Sequence, residues 1–201
     1  MAYESLSTGA TAVGIKVRDG VVLAAEKRVS YRGYVMSRAG KKVYRITNRM
    51  AMAAAGLFAD MQTLRKIMET EIRYQELTTS SRMSVRAAAK LLSAILYSYK
   101  SSPFLSEILF GGVDDEGPHL FVLDPVGSVI EDDYAAIGTG APIAIGIIES
   151  GYHSDMAISD ARNLAVQAIR AAISRDVMSG DGVDLAIVTR KGVKEERIPL
   201  A

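Results

Sequence analysis

Thr11-Ala12-Val13-Gly14-Ile15-Lys16-Val17-Arg18, followed by Asp19-Gly20 and then Val21-Val22-Leu23-Ala24-Ala25-Glu26, is the stretch on which the fold reading turns. Apolar and polar positions alternate from Thr11 to Arg18, Asp19-Gly20 is a strong two-residue turn signal, and Val21 to Glu26 continues as a second strand. The chain therefore opens on a β-hairpin. Tyr34 to Met36, Val43 to Ile46 and Met50 to Ala55 read as further short strands separated by Gly33, Gly40 and Thr47-Asn48, and Gly56 closes this first sheet region.

The apolar period then changes. Leu64, Ile67, Met68 and Ile72 recur at helical spacing after Asp60, and Val85, Ala88, Leu92, Ile95, Leu96 and Tyr99 do so after Ser84, a good N-cap. Beyond Pro103, strands are expected at Leu105 to Val113, His119 to Asp124, Ser128 to Ile130 and Tyr134 to Ile137, with turns at Asp114 to Gly117 and Pro125-Val126-Gly127. Pro142 suits the first turn of a helix running toward Ser150, and Ser159 is placed to cap another carrying the stripe Leu164, Ala165, Ala168 and Ala172. Val183 to Thr189 and Lys194 to Ile198 close the chain as strands. Strands, helices, strands, helices and strands in that order, with no internal repeat, suit two stacked sheets between helix layers, an α+β architecture.

At 201 residues, 49% of them hydrophobic, the chain is long enough for one substantial core and too short for two ordinary domains. Residues 1–9, or 1–10 if a cut falls one residue later, read as a leader, and 10–201 as one domain. With 24 basic against 23 acidic residues, the charge gives no reason to expect nucleic acid or an anionic membrane as partner. The absence of cysteine rules out disulfides, thiolate metal sites and cysteine nucleophiles, and fits the reducing cytoplasm. The leader lacks the basic and apolar regions of a signal peptide, and no segment has the run of about 18 apolar residues that a membrane span needs.

The leader is polar and ends in Gly9. A cut there that exposed a threonine would give one residue both a hydroxyl nucleophile and its own amine as base. The residue after Gly9 is Ala10, which has no hydroxyl. Other chemistries have little support. His119 and His153 stand apart from any zinc-like spacing, so no metal is expected, Glu131-Asp132-Asp133 reads as a solvated turn, and Gly138-Thr139-Gly140 lacks the remaining features of a nucleotide-binding loop.

Thr11-Ala12-Val13-Gly14-Ile15, Asp19 to Arg28, Gly40-Lys41-Lys42, Ala54-Ala55-Gly56, Ile108 to Asp114, Gly138-Thr139-Gly140, Arg175-Asp176 and Ser179-Gly180 occur in order and at family spacing. In this the chain resembles the β subunits of archaeal-type 20S proteasomes, of the N-terminal-nucleophile threonine peptidase family. The resemblance implies a four-layer αββα sandwich and an ATP-independent proteolytic core of stacked seven-membered rings. It also implies autocatalytic removal of a leader ending in glycine, no cofactor, and a threonine endopeptidase mechanism. The partners it implies are α subunits, other β subunits, unfolded polypeptide as substrate, and a regulatory ATPase acting through the α ring.

Residue by residue, Lys42 matches the lysine that stabilises the deprotonated hydroxyl, and Glu26 stands where the family commonly has aspartate to hold that lysine. Gly56 matches the oxyanion-facing backbone, Thr139 a serine between glycines, and Asp176 and Ser179 the pair near the terminal amine. Val29, Gly40, Tyr44, Ala54, Phe58 and Gln62 fall on the specificity-pocket positions, an uncharged set that favours apolar side chains. Taken singly, Lys41-Lys42 is a solvated pair, Gly56 a turn glycine, Asp176 and Ser179 a helix-terminal turn, and Val29, Ala54 and Phe58 ordinary core.

The nucleophile position itself falls on Ala10. Three readings follow: a non-catalytic ring subunit that supports an active second β subunit, a nucleophile-ablated form with its leader attached, or a cut one residue later that makes Thr11 the nucleophile. The strand period turns Thr11 away from Lys42 unless the register slips, and slippage is cheapest at a chain end. A different N-terminal-nucleophile amidohydrolase acting on a small amide is the remaining alternative.

Overall fold

A computed structural model describes residues 9–31 and 33–199; the expected leader, apart from Gly9, lies outside the described residues. The opening hairpin is present as β1 (Thr11–Val17) and β2 (Gly20–Glu26), paired antiparallel from Ala12 opposite Ala25 to Val17 opposite Gly20. A small hairpin, β3 (Val29–Tyr31) and β4 (Tyr34–Ser37), follows, and then β5 (Val43–Arg45) and β6 (Met50–Gly56). Two helices, α1 (Phe58–Thr79) and α2 (Val85–Ser98), lead to the meander β7 (Ser106–Val113), β8 (Pro118–Leu123), β9 (Val129–Glu131) and β10 (Tyr134–Gly138). The chain closes with α3 (Ala141–Gly151), α4 (Ile158–Ile173), β11 (Val183–Thr189) and β12 (Gly192–Ile198).

The strands form two antiparallel five-stranded sheets, ordered β10-β1-β2-β11-β12 and β5-β6-β7-β8-β9. Three apolar layers hold them. Ala12, Leu23, Ala25, Val43, Ala53, Leu109, Leu120 and Val188 meet between the sheets. Helices α1 and α2 cover the second sheet through Met61, Leu64, Met68, Ile72, Leu92 and Leu96. Helices α3 and α4 cover the first through Ala144, Ile148, Ala161, Ala165, Ala168 and Ala172. The stripes follow from spacings of three and four residues, which place side chains on one helix face. The result is the αββα sandwich.

Most expected elements are found within a residue or two, and three local readings are corrected. Strand β3 was not anticipated: three residues behind the charged run Glu26-Lys27-Arg28 leave too short a period to detect. Ser159 does not cap α4, because the helix begins a residue earlier with Ala157 in the N-cap position and no side-chain cap. Glu131 is a strand residue, not part of a solvated turn, and its carboxylate accepts from Arg86 and approaches the His119 ring at 2.7 Å. By contrast, Ser84 caps α2 as expected, accepting from the Ala87 N–H at 3.2 Å.

Helix α2 is also anchored from across the sheet. Buried Asp114 accepts from the Val85 N–H at 2.8 Å and the Glu116 N–H at 3.0 Å. Burial pushes this carboxyl up, but those N–H groups and neighbouring His119 more than offset it and hold Asp114 below the ordinary carboxylate range. With the folded pKa below the unfolded one, this stabilisation is present above about pH 4 and is lost as pH falls through the folded value. Asp114→Ala is expected to cost about 1–3 kcal/mol at pH 7, since it orphans the Val85 donor. Urea unfolding at pH 7 and pH 3 checks this: the gap between variant and parent should shrink in acid.

Candidate active site

The site forms at one end of the sandwich, where β1 begins, β2 and β6 end, and the turn after α4 folds back. Glu26, the last residue of β2, is fully buried, and so, nearly, is Lys42. The Lys42 ammonium donates to Glu26 Oε1 and to the Arg28 carbonyl. The same Glu26 oxygen accepts from the Thr11 N–H at 3.4 Å. Glu26 Oε2 accepts from the backbone N–H groups of Arg28 at 2.7 Å and Gly180 at 3.0 Å. Four donors thus converge on the Glu26 carboxylate, three of them backbone N–H groups. Burial pushes the Glu26 carboxyl up and the Lys42 ammonium down, and their mutual attraction opposes both shifts. A lysine so desolvated gives up its proton more readily than an exposed one, which suits proton exchange with an adjacent group.

A second network lies beside it. Thr139 Oγ1 and Ser179 Oγ each donate to Asp176 Oδ2, both at 2.6 Å. Ser179 Oγ is also 2.7 Å from Thr11 Oγ1. A hydroxyl has one proton, and that of Ser179 goes to the carboxylate, so Thr11 is the donor in this last bond. The proton of Thr11 is thus directed through Ser179 toward Asp176. A side chain on Gly140 would place its Cβ 2.1 Å from Thr11 Oγ1, so glycine is required for this contact, and Thr11 is wholly buried.

Ala10 faces the other way. Its methyl joins Ala12 and Leu23 in the layer between the sheets, while Thr11 shares the helix-side face with Val13 and Ile15. Its carbonyl accepts from the Thr139 N–H at 2.8 Å. The pairing of β1 with β10 and with β2 runs from Thr11 opposite Gly138 and Ala12 opposite Ala25 without a bulge, so the register slip that would turn Thr11 toward Lys42 is not present.

Ala10 also lines an open cleft of about 420 Å³ together with Ala55, Gly56, Leu105, Glu107 and Thr139. Gly56 has φ of +131°, and a Cβ there would come within 2.1 Å of the Leu105 carbonyl oxygen, so no other residue fits. Of the expected specificity residues, Val29, Gly40 and Phe58 come together: a Cβ on Gly40 would lie 2.4 Å from Val29 Cγ2 and 3.3 Å from Phe58 Cε2. Tyr44 and Ala54 are buried in the core under α1, and Gln62 is exposed on that helix. Burial pushes the Tyr44 hydroxyl up to about 12, against the opposing charge of Arg65. None of the six lines the cleft beside Ala10.

Sequence reasoning missed Arg28 as a clamp. Its guanidinium bonds Asp181 at 2.8 Å and the Val177 carbonyl at 2.9 Å, while its own backbone serves both Glu26 and Lys42. The signal was available in the spacing, since Arg28 follows Glu26 by two residues and a carboxylate commonly bonds the N–H two positions on.

A buried acid-lysine pair, a hydroxyl-carboxylate network and an open cleft, all at the start of the first strand of an αββα sandwich, define the class of N-terminal-nucleophile hydrolases. The family model described as "Proteasome subunit" matches residues 6–188. The chain belongs to the proteasome subunit family. It is 55% identical over 197 residues to "Proteasome subunit beta 2" of Pyrobaculum calidifontis, an alignment covering 98% of this chain and 97% of that protein. It is 59% identical over 192 residues to "Proteasome subunit beta 1" of Hyperthermus butylicus, covering 95% and 94%. Membership of this family carries assembly with other proteasome subunits, and β members are generally threonine peptidases.

Proposed function

We propose that this β subunit of the proteasome core builds the ring without hydrolysing peptides itself, and that it supports a second, catalytic β subunit. The observation that carries this is the placement of Ala10: the residue that lines the cleft with Gly56 has no hydroxyl, and the hydroxyl next along the chain, that of Thr11, lies on the opposite face of β1, committed to Ser179. Without a nucleophile, Lys42 and Glu26 have no oxygen to activate. Relatives carrying the numbered names beta 1 and beta 2 support more than one β type. In this reading Lys42, Glu26, Gly56, Thr139, Asp176 and Ser179 are positioned for threonine chemistry that this chain lacks. Its partners are α subunits and other β subunits in a cytoplasmic particle whose catalytic members degrade polypeptide delivered by an ATPase through the α ring. The leader, 1–9, stays attached to a single domain, 10–201.

A second reading has one observation in its favour. If the cut fell after Ala10, Thr11 would carry its amine beside Glu26 and its hydroxyl on a chain of bonds leading to Asp176. The face Thr11 occupies weighs against it: in the unbroken register of β1 its hydroxyl shares the helix side with Val13 and Ile15, away from the cleft that Ala10 and Gly56 line. Intact mass of the chain after assembly with α subunits separates the readings. Retention of residues 1–9 is the expected result; a chain beginning at Thr11 would establish the shifted site and overturn the proposal.

A further inference from the structure

Far from the cleft, three turns bring cations together. Arg45 at the end of β5, Arg49 in the turn before β6, Arg82 between α1 and α2, and Arg190 and Lys191 in the turn between β11 and β12 line one cavity of about 420 Å³, with Asn48. The length of β6, seven residues, puts it roughly 20 Å from Gly56. No carboxylate lines it. Among the described residues, Arg49 has an ion-pair partner, Asp115 at 2.9 Å, whose side chain is 96% exposed. The Arg45 Nε donates to the Thr47 carbonyl at 3.1 Å, leaving the rest of its fork directed elsewhere. Arg82, Arg190 and Lys191 make no ion pair among the described residues.

This concentration is not the reflection of a basic protein, since the whole chain carries a formal charge of +1. Five like charges around one concavity repel one another, and the potential they create is focused by the walls of the cavity. An anion of several charges relieves that repulsion, whereas chloride neutralises one charge at a time. Guanidinium forks match phosphate oxygens bidentately, and a compact ammonium such as that of Lys191 adds a point charge. The concave shape and small volume suit a compact group, while the rest of the chain, whose formal charge is −4 once these five cations are set apart from the total of +1, provides no track for an extended polyanion.

We propose that this cavity is a binding site for a compact multivalent oxyanion of the phosphate class, either free pyrophosphate or the phosphate tail of a nucleotide. The test is calorimetric titration of the full chain with sodium pyrophosphate and, separately, with ATP, at fixed ionic strength. The partner experiment uses the double variant Arg82→Ala/Arg190→Ala, two exposed positions whose loss leaves the core intact, with a thermal melt to verify folding. Saturable binding of pyrophosphate, weaker by roughly tenfold or more in the double variant and falling as salt rises, is expected. Equal affinity for ATP identifies the phosphate tail as the recognised group; tighter ATP binding adds a contribution from the nucleoside to the same site. Absence of saturable pyrophosphate binding, unchanged affinity in the double variant, or tighter binding of a hexaglutamate peptide than of pyrophosphate would each overturn the proposal, the last by pointing to an acidic protein segment instead.

Discussion

Ala10→Thr is expected to convert this chain from an inert ring component into a self-processing peptidase, with loss of residues 1–9 and hydrolysis of short apolar peptides absent from the parent. The remaining groups are positioned before the hydroxyl arrives. Lys42 is desolvated and held by Glu26 and the Arg28 carbonyl. The Ala10 carbonyl is fixed by Thr139, and Gly56 leaves the cleft beside Ala10 open. Removing the nucleophile of a hydrolytic constellation costs on the order of 10⁶-fold in kcat in a well-studied serine protease, so restoring it should raise activity by roughly 10³-fold or more, even with imperfect geometry. The measurements are intact mass for the new N-terminus and fluorogenic peptide turnover by particles assembled with α subunits. Ala10→Val, which matches the shape of threonine without its hydroxyl, is the control, expected to assemble and to remain unprocessed. If Ala10→Thr assembles yet neither loses its leader nor turns over peptide, Ala10 is not the nucleophile position.

Lys42→Met carries the largest expected loss of stability. It leaves the Glu26 carboxylate fully buried with two backbone N–H groups and the distant Thr11 N–H but no cation in contact with it. Breaking a buried ion pair from one side costs about 3–5 kcal/mol, whereas replacing both members by neutral groups costs much less. Lys42→Met/Glu26→Gln should therefore recover most of the loss, and the double-mutant cycle measures the coupling. The pH dependence has a definite sign. Burial already holds the folded Glu26 pKa above its unfolded value, and removal of Lys42 raises it further. A raised folded pKa gives stability that is present at low pH and lost as pH rises through that value. Lys42→Met should thus fall furthest below the parent at neutral pH and approach it near pH 5. A deficit that grows on acidification would show that Glu26 is not the group left unpaired.

The order of elements was legible because alternation in Thr11 to Glu26 and the helical stripes of α1, α2 and α4 are local patterns with strong periods. Boundaries and caps were less so: Ser159 has the right chemistry for a cap, but the chain enters α4 from Ala157. Strand β3 is too short to show a period. Of the candidate specificity residues, Val29, Gly40 and Phe58 meet, while Gln62 points to solvent. Family position alone carries no information on how far the first turn of α1 rotates each side chain.

By itself, the sequence determined the order of strands and helices and the opposite orientation of Ala10 and Thr11, since these follow from the periods of helix and strand; that Ala10 falls on a nucleophile position is what the family resemblance implies. Only the tertiary structure decided that the Thr11 proton runs to Ser179, 168 residues away, that Glu26 finds four donors, and that cations from three separate turns share one cavity. Strand and helix periods arise from short-range sterics, whereas these contacts depend on how the layers stack, and stacking is fixed by the packing of the whole core rather than by any local segment.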